Sequence, residues 1–406
     1  MHRSQIVIKR FLLGFAAFLL ATGARAGSLT VLHQFGGYPT DGAAPLSGVI
    51  ADSSGNLYGT TSEGGTNYCG YTEYGGCGSV YKVAPDGTES LIHSFSNGNA
   101  NDGQFPWASL IIDGSNNVYG TTEGGGVYDI GTAFKLSQDG TITVLHSFAG
   151  GNDGYDPIAP LVFDVNGNLY STTPSGGGGR CDKYRHIYYG CGTIFKLTPD
   201  GTETVLYAGS TKRDPRDFIS GVVIDGIGNL FGISDFDGKH RGGILFELSP
   251  QGLLTVFHHF GKGHDGSGPS GNLNMDGEGN LIGTTSGGGK FGVGTIFKFT
   301  PSGIETILHS FNGKKNGSDP VGGLIADSSG NLYGAANGGA GGLGIVYKLT
   351  PTGKFSILYS FSGSDAIAGP IGPLVIDQAG NLYGVTAEGG AGCGTFGCGG
   401  VFKIAQ

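Results

Sequence analysis

Long apolar runs are missing from this sequence, with one exception at its start. Phe11 to Ala21 is apolar and follows the basic residues His2, Arg3, Lys9 and Arg10; Ala24-Arg25-Ala26 then reads as a small-residue cleavage site before Gly27. The run is too short to span a membrane and has the three-part form of a secretory leader. Residues 1–26 are therefore expected to be a signal peptide, and 27–406 a single exported domain in the periplasm, the medium or at the cell surface, with no membrane insertion after cleavage. Basic charge is scarce as well: 23 Lys plus Arg face 32 Asp plus Glu, a formal net charge of −9. An acidic surface argues against nucleic acid and anionic membranes as general partners. No convincing amphipathic helix occurs in the mature chain. H-E-x-x-H, G-x-S-x-G and C-x-x-C are all absent, which removes the commonest signatures of zinc proteases, serine hydrolases and compact thiolate metal sites. Tryptophan occurs once, at Trp107, so no repeat can rest on a recurring Trp-Asp pair.

Glycine, by contrast, is abundant at 83 of 406 residues, without a G-X-Y period. Mixed with short runs of Val, Ile, Leu, Phe and Tyr, it points to many strands and tight turns. One phrase recurs seven times, anchored at Asn56, Asn117, Asn168, Asn229, Asn280, Asn331 and Asn381, with spacings of 61, 51, 61, 51, 51 and 50. A period near fifty fits a four-stranded blade. The unit around Asn331 shows the pieces: strand A over Gly323–Ala326, the turn Asp327–Asn331, strand B over Leu332–Gly334, a glycine loop, strand C over Ile345–Leu349, the turn Pro351-Thr352-Gly353, and strand D over Phe355–Phe361. Leu29–Phe35 is a strand D with no blade before it, and Val401–Lys403 is a strand C with no strand D after it. The spacing therefore predicts an all-β, seven-bladed β-propeller of four-stranded blades, its ring closed by the N-terminal strand completing the last blade. A linear solenoid would leave half-repeats and open edges at both ends.

The repeat resembles the GloVer repeat of exported bacterial proteins. Residues 55–61, 192–201 and 143–148 carry the parts of its signature, and the resemblance runs over essentially all of 29–404. It implies export and tandem repetition but no activity. Many members add a C-terminal anchor, whereas this chain ends Val401-Phe402-Lys403-Ile404-Ala405-Gln406 without an apolar tail.

In such a ring the A-to-B and C-to-D turns share one face and are short. The B-to-C and D-to-A loops share the other face and are long and variable, which makes that face the place for function. All six cysteines fall in B-to-C loops: Cys69 and Cys77, Cys181 and Cys191, Cys393 and Cys398. Three local disulfides are the simplest pairing in an exported chain, and metal ligation by them is disfavoured by their spacings. The stiffened loops carry tyrosines: Tyr68, Tyr71 and Tyr74 in blade 1, and Tyr184, Tyr188 and Tyr189 in blade 3. Basic residues gather in blades 3 and 4 at Arg180, Lys183, Arg185, Lys212, Arg213, Arg216, Lys239 and Arg241, with His186 and His240. That sector, with Tyr184 and Tyr188, is the candidate site for an anionic ligand such as an acidic glycan, held by Arg forks; a salt-bridged, solvated surface is the plain alternative.

Other recurrences read as structural. His33, His93, His146, His258 and His309 repeat in strand D, where Tyr207 and Tyr359 replace the His in two blades; a packing role is expected. Asp52, Asp113, Asp164, Asp225, Asp276, Asp327 and Asp377 precede the repeated Asn and suit turn chemistry. Asp102, Asp153 and Asp265 stand in polar D-to-A loops, making calcium a minor alternative to an expectation of no metal and no cofactor. Gly287–Gly294 resembles a phosphate loop but leads into a strand, where such a loop must open a helix. The reading is a monomeric, non-catalytic binding or scaffold protein of the cell envelope, recognising a glycan or protein on its long-loop face. The alternative is a polysaccharide lyase or hydrolase drawing on Arg185, His186, Arg213, Asp235 and His240.

Overall fold

The computed structural model describes residues 27–70, 75–179, 182–184, 187–209, 215–235, 237–390, 393 and 397–406. They form seven four-stranded antiparallel sheets, consecutive in sequence, with no helix among the described residues. Blade 6 consists of Ser318–Ala326, Leu332–Asn337, Ile345–Leu349 and Phe355–Ser360, so strands A and B both run further toward the long-loop face than the sequence pattern indicates. In blades 1 to 4 the inner strand is reduced to two residues, as at Ile50–Ala51 and Ile111–Ile112. Blade 7 takes Ile367–Ile376, Leu382–Gly389 and Gly400–Ala405 from the end of the chain and Ser28–Gln34 from its beginning. Thr30 lies opposite Lys403 and Val31 opposite Phe402, so the ring closes as the orphan strands require.

The core lies between blades. The Phe that ends strand D of one blade meets the aromatic at the centre of strand C of the next, edge to face: Phe35 with Tyr81 at 4.9 Å, Phe95 with Phe134 at 5.3 Å, Phe148 with Phe195 at 5.1 Å and Phe361 with Phe402 at 5.4 Å. Such pairs add to the area they bury. Blade 3 has Gly209 where the Phe belongs, and a side chain there would run into Cys191. Phe218, from the following loop, fills the place and meets Phe246 at 5.2 Å.

Glycines set the spacing of the blades. At Gly294, which opens a strand C, φ is +107° and a Cβ would lie 2.7 Å from Cδ of Pro320 in the next blade. Only glycine meets both conditions.

The repeated Asp makes the A-to-B turn, as its recurrence implies. Asp113 Oδ1 accepts the backbone N–H of Ser115 and Asn117, and Oδ2 accepts Asn117 Nδ2 and the Tyr119 hydroxyl, all within 2.8–3.0 Å. Lys135 reaches across the Tyr119 ring, 5.6 Å from its centre. Burial alone would raise the Asp113 pKa, yet these hydrogen bonds hold it below the usual carboxylate range. In blade 4 the Tyr is Phe231, opposite Glu247 instead of Lys.

The blade 3 insertion is not a plain loop: Asp182–Tyr184 and Ile187–Gly190 pair as a small hairpin. Its tyrosines, read above as loop residues, favour strands and account for it.

Candidate functional site: the mouth of the central channel

The seven inner strands surround a channel, and its mouth on the long-loop face is built by one repeated device. Before strand A in blades 1 to 4, and within its first residues in blades 5 to 7, each blade places a residue at positive φ: Ala44, Phe105, Asp156, Asp217, Gly268, Asp319 and Gly369, between 47° and 66°. In all but blade 4 the next residue is proline, which normally drives its predecessor into extended backbone. Five non-glycine residues in this region store strain that the surroundings must hold. What holds them is the preceding blade, whose B-to-C loop offers a carbonyl to each N–H. Phe105 N–H donates to Cys77 O at 2.8 Å, Ala44 N–H to Cys398 O at 3.1 Å, and Asp217 N–H to Cys191 O at 3.3 Å.

The disulfides thus have a definite place in the site. Cys69–Cys77 and Cys393–Cys398 are formed, with Cα separations of 5.1 and 5.0 Å. Cys191 is disulfide-bonded as well, and Cys181 lies outside the described residues. In each pair the second cysteine presents the carbonyl that grips the next blade.

Two residues further on, the device aims a side chain at the channel: Leu46, Trp107, Ile158, Ser270, Val321 and Ile371 line a cavity of about 280 Å³. Ile219 holds the same position in blade 4 and is 41% exposed. A second cavity of about 280 Å³ continues below, lined by Val49, Leu110, Leu161, Val222, Leu273 and Leu374 among others. The channel wall is apolar, and its largest exposed ring is that of Trp107, 42% exposed.

Carboxyl groups rim this apolar ring. Glu123, at the end of strand B in blade 2, is half-buried; burial raises its pKa, and a hydrogen bond with Trp107 opposes the rise. Asp156 is pushed up to about 7 by burial and by the charge of Glu123. Burial also raises Asp235. Asp319 accepts Asn337 Nδ2 at 2.9 Å. Further out, the exposed rings of Tyr38 and Tyr68 meet at 5.6 Å.

The sequence-derived site fares unevenly. Arg180, Arg185, His186, Lys212 and Arg213 lie outside the described residues, as do Tyr71 and Tyr74. Lys183, Tyr184 and Tyr188 fall on the strands of the small hairpin. Lys239, His240 and Arg241 are exposed in the blade 4 loop. Arg216 is engaged within the protein: its Nε donates to Asp237 Oδ1 at 2.8 Å and its backbone N–H to Oδ2 at 2.9 Å. Trp107, Glu123 and Asp156 were missed as a group. The signal that could have found them is the X-Pro pair repeated before or at the head of six of the seven inner strands, at Pro45, Pro106, Pro157, Pro269, Pro320 and Pro370.

A family model described as the Gloeobacter/Verrucomicrobia repeat matches residues 67–188 and 183–402. Among curated protein sequences, none matches the chain. Solved structures share the fold at low identity. A streptogramin B lyase aligns with a TM-score of 0.59 and 14% identity, covering 93% of this chain and 97% of that one. Virginiamycin B lyase from Staphylococcus aureus aligns with a TM-score of 0.59 and 13% identity, covering 93% and 99%. The extracellular domain of a one-component system from B. thetaiotaomicron aligns with a TM-score of 0.56 and 12% identity, covering 91% of this chain and 39% of that one. At these identities the likeness concerns the fold alone.

Proposed function

This chain belongs to the Gloeobacter/Verrucomicrobia repeat family, and from that premise we propose that it is an exported, non-catalytic binding propeller that takes a glycan at the mouth of its central channel. Export is supported by the disulfides, which persist in oxidising compartments outside the cytoplasm. The observation that carries the ligand reading is Trp107, exposed at the mouth beside the half-buried carboxyls of Glu123 and Asp156. An indole face stacks on the C–H face of a sugar, while carboxylates accept its hydroxyl protons. The acidic rim favours a neutral sugar at this spot over the acidic glycan suggested by the basic residues of blades 3 and 4. Binding should be sought on a glycan array and quantified by calorimetry. Trp107→Ala should weaken it at least about tenfold, the loss of one well-placed aromatic anchor; undiminished affinity in that variant would overturn the reading.

A second reading, hydrolysis or elimination on a polysaccharide, is favoured by the unequal pair Glu123 and Asp156, since an acid poised near neutrality can donate a proton. It requires Asp156→Asn to abolish turnover while leaving binding intact.

A further inference from the structure

The strand D histidines do more than pack. His33 Nε2 lies 3.0 Å from Asp41, His146 Nε2 2.9 Å from Asp153, and His258 Nε2 2.9 Å from Asp265, each Asp coming from the loop that follows its histidine. At these three places the next blade adds a glutamate from the start of its own strand D. The results are His33, Asp41 and Glu89 between blades 7 and 1, His146, Asp153 and Glu203 between blades 2 and 3, and His258, Asp265 and Glu305 between blades 4 and 5. In each, one ligand atom per residue lies within 4.8 Å of the others.

Two carboxylates this close, partly shut off from water, are poorly matched to an imidazole alone. The Asp265 side chain is 8% exposed, yet its Oδ1 has no hydrogen-bond partner. Oε1 of Glu89, Glu203 and Glu305 is buried and finds no donor when the acids are ionised; only a proton shared with Asp153 or Asp265 would pair Glu203 or Glu305. Buried polar atoms are almost always paired, so such atoms need an explanation. The other blade interfaces do without the second carboxylate: the register position of Glu89 is held by Ile142, Leu254, Phe355 and Leu29.

We propose that the three clusters are binding sites for a divalent transition-metal ion of the zinc type, each built from one imidazole and two carboxylates. The donor set selects the ion class. Calcium takes oxygen ligands, whereas imidazole with carboxylate suits zinc and its neighbours. Ligand atoms about 2.0 Å from a tetrahedral zinc stand about 3.3 Å apart. The gaps of 2.9 Å from His258 to Asp265 and 3.8 Å from His258 to Glu305 bracket that spacing. Two carboxylates and a neutral imidazole also balance a charge of two. Each site would bridge consecutive blades.

The test uses tag-free protein, stripped with EDTA and titrated with zinc by calorimetry near neutral pH, with calcium in parallel. The expected result is zinc uptake at one equivalent per cluster, weakened at least about tenfold at each site by Glu89→Gln, Glu203→Gln and Glu305→Gln, as losing a ligand requires. Glutamine mimics the protonated acid, so these variants should fold, which circular dichroism checks. His93→Ala, at an interface without the glutamate, should leave uptake unchanged. Cobalt in place of zinc should give the visible absorption of a four-coordinate site, absent from the triple variant. Three results would each overturn the proposal: no uptake by the parent, uptake unaltered in the folded triple variant, or calcium bound in preference to zinc.

Discussion

Asp113 shows how much one side chain carries. Its two oxygens accept four hydrogen bonds and fix a turn whose main-chain groups would otherwise be open. Asp113→Ala should cost about 1.5–3 kcal/mol of stability, the range for a hydrogen bond to a charged group, measured by urea unfolding. The replacement of one of seven such turns should leave the ring closed. Asp156 behaves oppositely. Burial and Glu123 raise its folded pKa to about 7 from an ordinary 3.8, so the folded state holds the proton more tightly than the unfolded chain. The stability this contributes is complete below about pH 4 and is lost as pH rises through about 7. Melting temperature followed across that window should fall less steeply in Asp156→Asn than in the parent. The turn aspartates were legible because they recur seven times with a local function. Asp156 was not, because its pKa depends on Glu123 in another blade, and no local pattern joins the two.

Strands were the most legible elements. Strand C of blade 6 spans Ile345–Leu349, as its place between the glycine loop and the turn Pro351-Thr352-Gly353 indicates. The lengths of strands A and B were less so, since the glycines that extend them read equally well as loop. Contacts between elements of different blades were least visible. Glu89 looks like the polar end of an outer strand until the fold sets it beside His33 and Asp41. Phe218 looks like an ordinary loop residue until Gly209 leaves a place for it. Phe218→Ala should destabilise the protein by about 3–5 kcal/mol, as large-to-small changes of a fully buried aromatic do, again read by denaturant unfolding. The loop disulfides make a different prediction. Replacing Cys69 and Cys77 by Ser should cost about 2–3 kcal/mol by the chain-entropy argument. It should also weaken ligand binding at the mouth, because Cys77 O anchors Phe105 two residues before Trp107. Unchanged binding in that variant would separate the disulfide from the site.

For the whole molecule the decisive element is Ser28–Gln34, the outer strand of blade 7. Without it, strand Gly400–Ala405 would present an unpaired edge, a ready template for association. Deletion of residues 28–35 should therefore give aggregates by size-exclusion chromatography, whereas a circular permutant opened in an exposed C-to-D turn of another blade should elute as the intact protein does. Ring closure was legible from two orphan strands alone, since it is a matter of counting. The mouth was not, since it emerges only when seven loops are brought round one axis.

That closing strand also orders events in time. A chain emerging from the ribosome makes Ser28–Gln34 before every strand of blades 1 to 6 and Gly400–Ala405 after them all. The first strand must wait, unpaired, through the synthesis of every other blade. Blades 1 to 6 have all four strands from consecutive sequence and can assemble as they appear; blade 7 cannot. The final join pairs residues as distant in sequence as Ser28 and Ala405, the kind of contact that slows folding most. A molecule built this way stays open until Gly400–Ala405 has been made, so the joining of blade 7 is the last step its ring can take.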